Sequence, residues 1–157
     1  MRFFVKAEPA LPARSDQSRQ IAVLLAGVLT VFLVTQLFTF DEFIVLADTF
    51  KLPGFNGFGF AASIVVFELL SLPFLLRMVL SPAFRIMSAL SLVVGMVLWL
   101  YATIIVVFAR SVESLGITGG LGTLTPGWWS IFFVSALAVL AAWTLWGLWP
   151  ARRKEAK

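Results

Sequence analysis

FGFAASIVVFELLSLPFLLRMVLSPAFR, Phe58 to Arg85, decides how the rest of the chain is read. About 20 predominantly apolar residues cross the hydrocarbon core of a bilayer as a helix. The part from Phe58 to Leu80 has that length and composition. Glu68 falls near its middle, Pro73 follows, and Arg77 and Arg85 flank the turn at Ser81-Pro82. A charged side chain at that depth costs several kcal/mol unless it is paired, protonated or hydrated. Pro73 has no N–H to give Leu69, so the span is expected to kink there.

The rest of the chain has the same character. Its 157 residues are 61% hydrophobic and 13% charged, with a mean hydropathy of +0.99. Soluble domains carry roughly 25% charged residues. The net charge of +4 and pI of about 10.1 come from basic residues that flank apolar runs. That placement points to membrane topology and not to a nucleic-acid partner. No Cys and no His is present. Thiol redox chemistry, Cys/His zinc sites, His-ligated haem and a Ser-His-Asp triad are therefore excluded. No catalytic set and no metal-ligand spacing is apparent.

N-terminal to that span, residues 1–20 read as a polar cytoplasmic tail, with Phe3, Phe4 and Val5 as an apolar touch at its start. Residues 21–40 form the first span, too long for a signal-peptide core. Ala22, Ala26 and Thr30 lie along one face of it and allow a close helix contact. Residues 41–57 are too charged to span, but Phe43, Ile44 and Ala47 have helical spacing. They predict a short outer amphipathic helix, stopped by Pro53-Gly54 and Asn56-Gly57. The second span is 58–80 and the third 85–108, a helical hairpin with a short inner loop. Residues 110–127 are a flexible Gly- and Thr-rich outer loop without the ending of a P-loop. The fourth span is 128–149 and carries a small face at Ser135, Ala138 and Ala142. Trp128 and Trp129 mark one interface and Trp146 and Trp149 the other, as tryptophan prefers. Residues 150–157 close the chain as a basic tail.

With both termini inside, all of the 12 basic residues except Lys51 and Arg110 fall on the cytoplasmic side. The positive-inside rule supports this orientation. Arg77 and Arg85 act as inner anchors, Arg77 by snorkelling. The fold expected is all-α and integral to the membrane: a four-transmembrane-helix bundle with a short outer amphipathic helix between spans one and two.

Glu68 needs partners. Ser71 shares its face at i+3. Counting depth at about 1.5 Å per residue brings Thr30, Trp99, Thr103 and Ser135 nearest, with Gln36 and Tyr101 closer to the outer surface. Two readings stand side by side. In one, Glu68 is neutral and ties helices together by a hydrogen bond. In the other, it binds a proton or a ligand, as intramembrane acids commonly do. Asp41, Glu42 and Asp48 read as the wet side of the outer helix.

FDEFIVLADTFKLP, Phe40 to Pro53, and FELLSLPFLLRMVLSPAFRIMSALS, Phe67 to Ser91, resemble the DoxX/MauE-like four-helix membrane proteins. The family's second-span glutamate maps onto Glu68 and its arginine after the turn onto Arg85. Arg77 stands about where the family has a glycine before the turn. The family is tied to sulfur oxidation with quinone as acceptor, to maturation of a disulfide-rich enzyme and to oxidative-stress complexes. The resemblance implies a non-enzymatic subunit or partner of a membrane-associated redox protein in a bacterial cytoplasmic membrane, with quinone or lipid between helices. A homo-oligomer is compatible with it. The alternative is a small proton-coupled carrier centred on Glu68 and the Pro73 kink.

Overall fold

The computed structural model describes residues 12–109 and 112–149. Most of the expected N-terminal tail, Arg110 and the basic tail 150–157 lie outside the described residues. The described chain is all-helical: α1 (Asp16–Phe38), α2 (Phe40–Thr49), α3 (Gly57–Leu75), α4 (Pro82–Ala109) and α5 (Trp128–Leu148). α1, α3, α4 and α5 are long and apolar enough to cross a membrane. The protein is an integral membrane four-span bundle. α3 and α4 each lie between two neighbours: α3 packs on α1 and α4, α4 on α3 and α5, and α5 closes the ring onto α1.

Local chemistry sets the helix ends. Ser15 caps α1, its Oγ accepting from Ser18 N–H at 3.2 Å, and Asp16 sits in the first turn, where the helix dipole favours an anion. α2 follows α1 after Thr39 alone. Its apolar side is the expected one: Phe43 and Ala47 are buried and Ile44 packs against the same core. That face meets α3 and the 112–127 loop. Asp48 and Asn56 both cap α3, their Oδ1 atoms accepting from Gly57 N–H at 3.1 Å and Gly59 N–H at 2.7 Å. Asp48 is therefore a capping group, not only a wet surface charge. A Cβ on Gly57 would run into the Ile44 carbonyl and Asp48, so α2 and α3 meet there by way of a bare backbone.

The second span differs from expectation at its far end. α3 stops at Leu75, not at Leu80. Arg77 N–H bonds the Phe74 carbonyl at 3.1 Å and Met78 N–H the Pro73 carbonyl at 3.0 Å, a Schellman stop. Arg77 sits at the left-handed position of that stop, φ 55°, where glycine is preferred. The third span starts three residues early, because Ser81 caps it and Pro82 fits a first helical position.

Pro73 opens the α3 ladder, and α4 fills the opening. Ser88 is fully buried; its Oγ accepts from Phe74 N–H at 3.0 Å and donates to the Leu70 carbonyl. One hydroxyl thus rejoins two groups that an unbroken helix would pair directly.

The 112–127 segment is a plug more than a loose loop. Leu115 and Ile117 are buried in the core. Ser114 Oγ accepts from Leu124 N–H at 3.1 Å, and Leu115 N–H bonds the Leu124 carbonyl at 3.0 Å. Gly116 and Gly119 have φ of 67° and 63°, and a Cβ on Gly119 would strike Thr39 Oγ1. The glycines let the backbone lie flat on α1 and α2 while the leucine and isoleucine point inward.

Candidate functional site

Glu68 is 2% exposed and faces the middle of the bundle. Its Oε1 accepts from Trp99 Nε1–H of α4 at 2.9 Å. The Gln36 amide of α1 stands against the same carboxyl. Gln36 Nε2–H in turn donates to the Ile117 carbonyl at 3.1 Å, bringing in the plug. Three helices and one loop therefore meet through a glutamate, an indole and an amide. Phe43 stacks on Trp99 with centroids 6.4 Å apart, and Phe60 meets the same ring edge-on at 6.0 Å. These rings exclude water, so each polar bond here has a low-dielectric setting.

Glu68 Oε2, Gln36 Oε1 and Thr103 Oγ1 are buried and have no hydrogen-bond partner. Thr103 carries its own hydroxyl proton, and a proton on Oε2 would make Glu68 a donor as well as an acceptor. The arrangement suits the neutral acid as a structural tie and also suits a group that holds one proton.

The expected partners fare unequally. Ser71 is buried beside Glu68, but its Oγ donates to the Glu68 backbone carbonyl at 2.7 Å, not to the carboxyl. Thr30 is exposed and bonds its own helix at the Ala26 carbonyl, 2.7 Å away. Its side chain faces outward, and depth along the axis does not fix rotation about it. Ser135 is half-buried on α5, and no hydrogen bond links it to Glu68. Thr103 is fully buried one turn from Trp99. Pro73 marks the opened ladder described above. Gln36 and Ser88 are the residues that depth counting missed. Gln36 continues the buried stripe of Leu29 and Leu33 on α1, which locates it by face.

The flanking tryptophans lie on the outside of α5, from 44% exposed at Trp129 and Trp149 to 65% at Trp128. Arg77 and Arg85 are half-buried at the opposite end from α2 and the plug. Among the described residues no group of three acidic side chains is placed to hold a metal ion. No protein-family model, no curated protein and no solved structure matches this chain.

Proposed function

We propose that the chain is a DoxX-like, non-catalytic membrane subunit that supports a membrane-associated redox partner. In this reading both termini face the cytoplasm of a bacterial cell. The observation that carries it is where the polar and open parts of the bundle lie. The one central carboxyl is tied to Trp99 and closed in by rings. A groove of about 720 Å³ runs along the lipid-facing side between α1 and α5. Apolar residues line it throughout, among them Gly27, Phe32, Phe133 and Ala136. A Cβ on Gly27 would meet nothing within 4 Å. Bare backbone in a long apolar groove favours close packing by a partner's transmembrane helix. It offers no donor for a quinone head, so quinone is the less suited occupant.

The test is affinity purification in mild detergent, with mass spectrometry of protein, lipid and quinone. A redox enzyme should copurify with the wild type and be lost in Gly27→Trp, whose side chain starts from a position with no neighbour within 4 Å of its Cβ and fills the groove. Recovery of the same proteins from both, or no redox protein from either, overturns the reading. The partnerless Glu68 Oε2 favours one alternative, a proton-coupled carrier. Proton-dependent uptake in proteoliposomes that disappears in Glu68→Gln would select it.

A further inference from the structure

A second groove, of about 400 Å³, opens between α4 and α5 at the end opposite α2. Its apolar floor and walls include Ile86, Ala89, Leu90, Val93 and Leu145. Its rim holds Arg14, Trp146 and Trp149. Arg14 is pinned there twice. Its backbone N–H donates to the Gly147 carbonyl at 2.9 Å, and its guanidinium lies 4.9 Å from the centre of the Trp146 ring. No carboxylate among the described residues pairs with it; Asp16, two residues on, does not. The indole N–H groups of Trp146 and Trp149 have no acceptor among the described residues.

A cation and two indole donors at the mouth of an apolar trough match one kind of ligand. It has an anionic head with several acceptor oxygens and a hydrocarbon tail. A planar guanidinium binds phosphate through paired N–H groups. Tryptophan prefers the headgroup depth. The tail would lie along Leu90 and Val93, which are 58% and 41% exposed. A partner helix suits this groove less well, since a guanidinium on the rim would need its own carboxylate there.

We propose that the α4/α5 groove binds one anionic glycerophospholipid, its phosphate on Arg14 and one acyl chain along Leu90 and Val93. The site is independent of the redox-partner reading and of the α1/α5 groove.

Native mass spectrometry of the full chain in mild detergent tests it, with phosphatidylglycerol or phosphatidylcholine of the same chain length added. The wild type should retain one phosphatidylglycerol per chain and hold phosphatidylcholine about five-fold more weakly, the worth of roughly one basic residue at an anionic surface. Arg14→Gln should remove that preference. Leu90→Trp, which blocks the trough and leaves Arg14 in place, should lower retention of both lipids. Arg19→Gln is the control, because Arg19 lies outside this groove. All three substituted side chains are exposed, and the circular dichroism melt of each variant should match that of the wild type. Equal retention of the two lipids by the wild type overturns the proposal. So does an unchanged preference in Arg14→Gln, or an equal loss in Arg19→Gln.

Discussion

At the end that carries α2, large rings fill the bundle: Phe43, Phe50, Phe60 and Trp99, with Leu115 and Ile117 from the plug. At the other end the core is Ala22, Leu25, Ala26, Ala89, Leu92 and Ala141, closed by Phe74 and Leu75. Aromatic filling comes with a polar centre, where Glu68, Trp99 and Gln36 join helices across the interior. Among the described residues the alanine-rich core holds no such centre. Its helices come close enough for backbone contact, as where Arg14 N–H bonds the Gly147 carbonyl, and Ser88 there repairs the α3 backbone. In lipid, packing and hydrogen bonds drive helix association, because apolar burial gives little there. The two ends use these in different proportion, large rings with a tie at one and small residues at the other.

The largest expected effect is at the aromatic end. Trp99→Ala removes a ring that touches Phe43 and Phe60 and also strips Glu68 Oε1 of its donor. A loss of ~3–5 kcal/mol is expected, at the level of core aromatic truncations. Trp99→Phe keeps most of the volume and drops the N–H, so ~1–3 kcal/mol should go. Glu68→Gln keeps an acceptor for Trp99 and should assemble, whereas Glu68→Ala should lose as much as Trp99→Phe. Thermal unfolding in a fixed detergent measures all four. If Trp99→Phe melts with the wild type, the hydrogen bond is idle and the rings alone hold this end.

Gly147→Ala tests the other end. A Cβ there would strike Ser18 Oγ and Cβ, so α1 and α5 would have to part. Overpacking of this sort costs ~1–3 kcal/mol. Ser18→Gly in the same chain should restore most of the loss. Absence of rescue would mean that contact between these two residues does not set the spacing.

Much of this division was legible beforehand. Apolar length located four spans, and the spacing of Phe43, Ile44 and Ala47 located α2 with its buried face. Those signals are periodic and survive any tertiary arrangement. The site was legible in part. Glu68 stood out as an acid within a span, and depth brought up Trp99 and Thr103. Depth does not give rotation about the helix axis, so it favours Thr30 and passes over Gln36. The end of α3 is not legible in the sequence, because apolar residues continue to Leu80 while the helix stops at the Schellman turn. The plug is hidden in the sequence because glycine signals backbone freedom, whereas Leu115 and Ile117, on either side of Gly116, are buried in the core.

Ser88→Ala is the third test. It leaves Phe74 N–H and the Leu70 carbonyl without Ser88 in a dry part of the bundle. The expected cost is ~1–3 kcal/mol. Ser91→Ala should cost far less, because Ser91 bonds only the Met87 carbonyl of its own helix, at 2.9 Å. In a Pro73→Ala background the α3 ladder can close on itself, and Ser88→Ala should then cost less. A double-mutant cycle with zero coupling would show that Ser88 does not serve the proline break.

The smallest effect belongs to Asp48, where α2 meets α3. Its Oδ1 accepts from Gly57 N–H, while Asn56 Oδ1 independently accepts from Gly59 N–H. Loss of a helix cap costs ~0.5–2 kcal/mol. With Asn56 still in place, Asp48→Ala should fall at the low end of that range. Asp48→Asn preserves the acceptor and removes the charge. It should therefore keep the hydrogen bond but lose the attraction of an anion to the α3 N-terminus, ~0.3–1 kcal/mol. Asp48 is exposed, so that part should shrink as salt is added. The wild type and Asp48→Asn should then converge in high salt, while Asp48→Ala stays below both. If all three melt together at every salt concentration, α2 is held to α3 by Phe43, Ala47 and the bare backbone of Gly57 alone. The polar bond at that seam would then follow from the packing and contribute nothing to it.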